Sequence, residues 1–309
     1  MIEIKNLTKI FKEKVSVDHL SLNIQPGVVT GFLGPNGAGK STTMKMILGL
    51  TNPSEGEVSI DGKFYKALKH PTSKVGALID GNASNPKLTP RKHLTIIAIA
   101  SNISLKQVEI VLENTGLKTV AEQPIGTFSL GMKQRLGVAT ALLGNPETII
   151  LDEPFNGLDV DGIHWLRGLT KKLAKDGKAV LVSSHLMSEM QMIADRMIII
   201  AQGKLIADMT VDELAEKSLG TFIKVKSEND EKLKTLLDEK DVVIKQRKDE
   251  ALRVYQFNME QIGEIAKKNQ LALYELTKVE PSLEELFTEL TKGKIDYVSN
   301  EFLKGSEAQ

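Results

Sequence analysis

The stretch Gly34-Pro35-Asn36-Gly37-Ala38-Gly39-Lys40-Ser41-Thr42 constrains this chain more than any other, because it joins a strand-like run to a helix-like one. Val28 to Leu33 is mostly aliphatic or β-branched and too short for a helix, while Met44, Ile47 and Leu48 recur at helical spacing. Gly34, Gly37 and Gly39 let the backbone between them curl until its N–H groups converge. The amino terminus of the helix adds partial positive charge to that ring, and Lys40 adds a full one. A loop of this make-up holds phosphate, with Lys40 reaching the outer phosphates and the Ser41 hydroxyl placed to ligate Mg²⁺.

Thr148-Ile149-Ile150-Leu151-Asp152-Glu153-Pro154 supplies a complement. Its apolar half drives a strand into the core and leaves Asp152 at the carboxyl end, where an open parallel sheet binds ligands. Asp152 is expected to hold the metal. Glu153 beside it is the candidate to orient and deprotonate an attacking water, since phosphoryl transfer needs positioning and a base more than covalent help. A third stretch, FSLGMKQR at 128–135, places Ser129 and Gly131 at the mouth of a helix followed by two cations. Such a helix start attracts an anion, although it lies far along the chain from the first loop.

Forty basic and forty acidic side chains cancel, so no global field draws the chain to nucleic acid or an anionic surface, and phosphate binding must be local. With no cysteine, disulfides, thiolate metal sites and cysteine nucleophiles are excluded. The start MIEIKNLTK lacks the apolar core of a secretory signal, and runs such as Leu94 to Ala100 fall short of the roughly 20 residues a bilayer span needs. A cytoplasmic address is expected.

Length suggests about two domains. Val28–Leu33, Thr148–Leu151, Ala179–Ser183 and Met197–Ala201 read as buried central strands of an α/β domain. Ile2–Leu7, Leu20–Ile24 and Glu57–Ile60 alternate apolar with polar and suggest a small antiparallel sheet. About residues 82–145 the pattern turns helical, as an inserted subdomain would. Residues 1–219 make the first domain in this reading, and 220–296 a second, of order β-α-β-β-α-β, the split arrangement of ferredoxin-like domains. A last helix begins at Pro281 with Ser282 and Glu285 at capping-box spacing, and residues 297–309 form a flexible tail.

With these motifs in place, the chain resembles the nucleotide-binding subunit of an ABC transporter over about residues 1 to 215. GPNGAGKST matches the family's Walker A motif, ILDEP its Walker B, and FSLGMKQR its signature, usually Leu-Ser-Gly-Gly-Gln. The resemblance implies an ATPase using ATP and Mg²⁺ on a P-loop fold, working as a head-to-tail dimer in which Ser129 and Gly131 of one copy close over the nucleotide of the other. It implies separately encoded permease subunits as partners, and hence a place at the cytoplasmic face of the cell membrane. By the same resemblance His185 is the switch histidine toward the γ-phosphate, Asp159 the D-loop aspartate at the dimer seam, and Phe11 the aromatic that stacks on adenine.

Asp80, in VGALID, stands where the family carries a glutamine that senses metal and membrane subunit; it would reach the metal directly or through a bridging water. A carboxylate there, and the module ending in PSLEELFTEL, resemble exporters of the bacitracin and lantibiotic type. Phe128, Leu130 and Met132 depart from the usual signature. The alternative reading is a mechanical ABC ATPase unconnected with transport.

Overall fold

The computed structural model describes residues 1–81, 83–217, 222–238, 244–245 and 251–279. They fall into two compact units, the first over residues 1–211 and the second beginning at Asp212.

The first unit opens with β1 (Ile2–Phe11) and β2 (Lys14–Ile24), an antiparallel ribbon in which Ile2 faces Ile24 and Ile4 faces Leu22. All four of these side chains are buried in the core, together with Leu7 and Leu20. Next come β3 (Val29–Leu33) and α1 (Lys40–Ile47), then β4 (Glu55–Ile60), which pairs with the free edge of β1. A short helix α2 (Pro71–Lys74) leads into β5 (Val75–Leu78).

Three helices follow without a strand between them: α3 (Pro90–Ala100), α4 (Lys106–Asn114) and α5 (Leu130–Leu142). Thr89 caps α3 by accepting from the Lys92 N–H, with Pro90 in the first turn, where a missing N–H costs nothing. Leu94, Ala98, Val111, Leu112, Leu136 and Ala139 give these helices a core of their own.

Then β6 (Thr148–Leu151), α6 (Val160–Lys175), β7 (Ala179–Ser184), α7 (Met187–Gln191), β8 (Arg196–Ala201) and β9 (Lys204–Thr210) complete the unit. The six-stranded sheet runs β5-β6-β7-β3-β8-β9. All its pairings are parallel except β8 with β9. Every residue of β3, β6 and β7 is buried, as expected of strands covered on both faces.

Two strands of this sheet were not anticipated. Val75–Leu78 is not among the strands expected from the sequence, but its parallel pairing with β6 makes it the sheet edge. Helix α5 seats directly on it: a Cβ on Gly76 would lie 1.8 Å from the Ala141 carbonyl, and one on Gly137 2.4 Å from Leu78 Cδ1. The other, β9, is half polar and gives no buried-strand pattern, because it is an antiparallel edge.

In the second unit, α8 (Val211–Lys217), β10 (Phe222–Ser227), α9 (Asp230–Asp238), β11 (Ile244–Lys245), β12 (Leu252–Tyr255), α10 (Met259–Lys268) and β13 (Leu273–Val279) follow in order. The sheet order is β11-β12-β10-β13, with every pairing antiparallel. Leu233, Leu237, Ile262 and Ala266 from the two helices pack on Ile223, Val225, Leu252 and Val254. The helix expected from Pro281 and the tail expected over residues 297–309 lie outside the described residues. No helix among the described residues is long and apolar enough to cross a membrane.

The seat of α5 on β5 sets a stability contrast between two glycines. Gly76→Ala drives a methyl into backbone and should cost at least about 2 kcal/mol, lowering Tm by several degrees in a thermal melt. Gly168→Ala, in mid-α6 with nothing within 4 Å of the new carbon, should stabilise by about 0.5–1 kcal/mol. Equal melting temperatures for Gly76→Ala and the parent chain would show that α5 separates freely from the sheet edge.

Candidate active site

Leu33 ends β3, and the chain must turn sharply to enter α1. Gly37 and Gly39 take φ of 85° and 104°, values that suit only glycine here, and Gly39 forms the N-cap of α1. Close approach explains Gly34, where a Cβ would sit 2.5 Å from the Ile200 carbonyl, and reinforces Gly39, where one would sit 2.5 Å from that of Ser16. Lys40 is buried, at 6% exposure. Its ammonium donates to the Gly34 carbonyl at 2.6 Å and to that of Pro35 at 3.4 Å, so the charge is held over the loop. A cleft of about 320 Å³ opens there, lined by Asn36, Gly37, Ser41, Thr42, Phe11 and Glu153 among others. Phe11, at the end of β1, is half exposed, with the Lys9 ammonium 4.9 Å from its ring centre.

The two carboxylates after β6 have different surroundings. Asp152 is buried and accepts from the Ser183 hydroxyl at 2.5 Å. Glu153 projects into the cleft, where one carboxylate oxygen lies 3.4 Å from Lys40 Nζ and the other 2.9 Å from His185 Nδ1. A carboxylate only accepts, so Nδ1 carries the proton in that contact. The Glu153 backbone is itself unusual, with φ of 47°. Its N–H donates to Ser183 Oγ at 2.8 Å, and its carbonyl accepts from Gln134 Nε2 at 3.0 Å.

Lys40, Glu153 and His185 therefore meet at the mouth of the loop, with Asp152 held behind them by Ser183. None of Asp80, Ser129, Gly131 and Asp159 lines this cleft. Ser129 is an exposed N-cap whose Oγ accepts from the Met132 N–H at 3.2 Å; an accepting hydroxyl keeps its own hydrogen for a further partner. Gly131 lies tight against the loop before α6, where a Cβ would come 2.9 Å from the Gly157 carbonyl. Asp159 caps α6 by accepting from the Gly162 N–H at 2.8 Å. Asp80 is exposed and lines a separate groove of about 450 Å³ along β5, shared with His93 and Ile97. Burial holds His93 below the ordinary histidine range, which keeps that wall of the groove uncharged.

Ser183 and Gln134 were missed by sequence reasoning. Ser183 sits two residues before His185 on a strand already singled out, so pairing β7 with β6 would have placed it beside Asp152. For Gln134 the local signs are its place within FSLGMKQR and its being a polar residue on the buried side of α5.

The loop fits a phosphate chain, because its ring of backbone leaves no space for Cβ atoms at Gly34 and Gly39. Hydroxyl and carboxylate donors, as Ser41 and Asp152 supply, are the hard oxygens that Mg²⁺ prefers. Among the described residues no cluster of three or more histidine or acidic side chains forms a metal site.

Comparison with known proteins agrees with this geometry. The family model described as ABC transporter matches residues 17–156, and a domain family of unknown function matches residues 221–284. The bacitracin transport ATP-binding protein BcrA of Bacillus licheniformis is 37% identical over 95% of this chain and 98% of its own. The lantibiotic transport ATP-binding protein SrtF of Streptococcus pyogenes is 34% identical over 69% of this chain and 92% of its own. Among solved structures, a dimeric ATP-binding cassette in a post-hydrolysis state, bound to ADP and Pi, superposes with a TM-score of 0.63 at 28% identity, covering 68% of this chain and 99% of that one. On the strength of the loop, the paired carboxylates and a relative matched along nearly its whole length, the chain belongs to the ATP-binding proteins of the ABC transporter family.

Proposed function

We propose that the chain binds and hydrolyses ATP as the motor subunit of an exporter for peptide-like or antimicrobial compounds, with the relatives that carry bacitracin and lantibiotics in their names as the guide to cargo class. The observation that carries the hydrolytic part is the position of Glu153, fixed between Lys40 and His185 at the mouth of the phosphate loop.

In this reading the loop N–H groups and Lys40 hold the β- and γ-phosphates. Mg²⁺, held by Ser41 and Asp152 and reached by Asp80 directly or through water, would neutralise charge between the two phosphates. Phe11 stacks on adenine, and Pro35, Asn36, Ala38 and Thr42 complete the loop. Glu153 takes the proton of the attacking water. A donation from His185 Nε2 to the γ-phosphate, made while Nδ1 still donates to Glu153, requires the imidazolium.

Two copies stand head to tail, and the exposed Ser129, Gly131 and the start of α5 close over the nucleotide of the opposite copy, with Asp159 at the seam. The groove along β5 that Asp80 lines receives a separately encoded permease subunit, which keeps the complex at the cytoplasmic face of the membrane. We assign residues 1–219 to the ATPase domain, with its helical subdomain at about 82–145, and 220–296 to an accessory domain. The strand order β11-β12-β10-β13 supports a ferredoxin-like form for the latter.

Two substitutions separate the roles. Glu153→Gln should keep ATP affinity, slow hydrolysis by at least about 100-fold, and run as a dimer on a sizing column with ATP; hydrolysis at the parent rate removes Glu153 as the base. Ser129→Arg should leave nucleotide binding to the single chain intact and abolish turnover, checked by fluorescent-nucleotide titration beside a phosphate-release assay. Loss of binding by the single chain would contradict the assignment of Ser129 to the opposite site.

A further inference from the structure

Gln134, the seventh residue of the FSLGMKQR stretch, links α5 to the backbone of Glu153. It lies on α5 five positions after Ser129, and its side chain is buried at 7% exposure. Its amide nitrogen donates to the carbonyl of Glu153 at 3.0 Å. On the other side of the same amide lies Gly81, the residue after Asp80, so closely that a Cβ there would come 2.0 Å from Gln134 Oε1. One side chain thus occupies the junction of three parts: the helix that Ser129 caps, the turn that follows Asp80, and the peptide of Glu153.

That peptide is held unusually. A glutamate at φ of 47° sits in a region that costs roughly 1–3 kcal/mol for a residue with a Cβ and persists only where its surroundings impose it. The Ser183 hydroxyl fixes its N–H from β7, and Gln134 fixes its carbonyl from α5, where the Asn156 N–H also donates at 3.2 Å. Ser183 lies on β7, which pairs directly with the strand that leads into Glu153. Gln134 belongs to a helix whose N-cap, Ser129, does not line this cleft.

We propose that Gln134 is a positioning residue that ties the placement of α5 to the carboxylate of its own chain, so that Ser129 meeting a nucleotide on a second copy resets Glu153 in the first. The inference rests on the two-copy reading above. It makes each hydrolytic site sensitive to whether the other is loaded, through one buried hydrogen bond. Displacing a reacting group by a fraction of an ångström is enough to change rate by an order of magnitude, so the bond need not break to matter.

The test uses full-length chains carrying two different affinity tags, purified as mixed dimers in which one chain bears Glu153→Gln. Only the Glu153 of the other chain then turns over. Gln134→Met, close in volume but without the donor, goes into one chain or the other. In the chain with intact Glu153 it should lower kcat about tenfold with KM for ATP unchanged. In the chain whose Ser129 covers the working site it should leave kcat within about twofold.

A loss that follows the covering chain, that is equal in both placements, or that is missing from both overturns the proposal. A merely structural role would move Tm alike in both placements without this dependence on chain. Should Gln134→Met fail to fold, Gly81→Ala crowds the same amide from the other side and must show the same chain dependence. If Glu153→Gln chains form no ATP-dependent dimer, the two-copy reading falls and takes the inference with it; every other negative result overturns the inference alone.

Discussion

Parallel pairing of β6, β7 and β3 is the constraint on which the site depends. In that register Leu33 stands opposite Ser184, and Leu151 opposite Val182, so three strand ends far apart in sequence deliver their next residues to one edge. The phosphate loop, Asp152 with Glu153, and His185 are those next residues. Parallel strands cannot be joined by tight turns, and the crossovers they need are the helices and inserted subdomain that separate the motifs in the chain. The cost is a core buried on both faces, met here by unbroken aliphatic runs such as Met197 to Ile200, every member of which is at most 1% exposed.

What the sequence disclosed, and what it concealed, follows from the range of the interactions involved. Glycines of the phosphate-binding loop, a strand of four aliphatic or β-branched residues leading to Asp152, and Ser129 at the mouth of a helix are local chemistry and were legible. The edge strand Val75–Leu78 was not, since its short run of four becomes a strand only by pairing with β6. Ser183 and Gln134 stayed hidden for a related reason. Each acts through a contact across elements, and nothing in the neighbouring residues distinguishes a serine on a strand or a glutamine on a helix that happens to meet the peptide of Glu153.

Energetics explain why the backbone of Glu153 needs several partners. Its left-handed backbone carries a strain of about 1–3 kcal/mol, and each hydrogen bond to its peptide returns a net of roughly 0.5–1.5 kcal/mol. One such bond leaves the conformation marginal; the three that involve Ser183, Gln134 and Asn156 together offset the strain. The bond from Ser183 to the buried Asp152 adds about 1.5–3 kcal/mol, as bonds to charged groups do. It locks the hydroxyl whose oxygen accepts from the Glu153 N–H. Asp152 and Glu153 are therefore set by one serine, which bonds the side chain of the first and the backbone of the second.

The same helix is held at two further places. Arg135, next to Gln134, stacks on Trp165 at 4.4 Å and donates to the Thr115 carbonyl, while the Trp165 indole donates to that of Asn114. These contacts join α4, α5 and α6 where the helical region meets the sheet-bound helix. At the amino end of α5, Leu130 replaces a glycine of the usual signature, and a side chain there needs space that the family's pattern does not reserve. The space comes from Gly157: a Cβ on that residue would lie 2.3 Å from Leu130 Cδ2, and its φ of 75° already favours glycine. The departure in one loop is thus absorbed by its neighbour, leaving the Ser129 cap formed and the face beside it exposed.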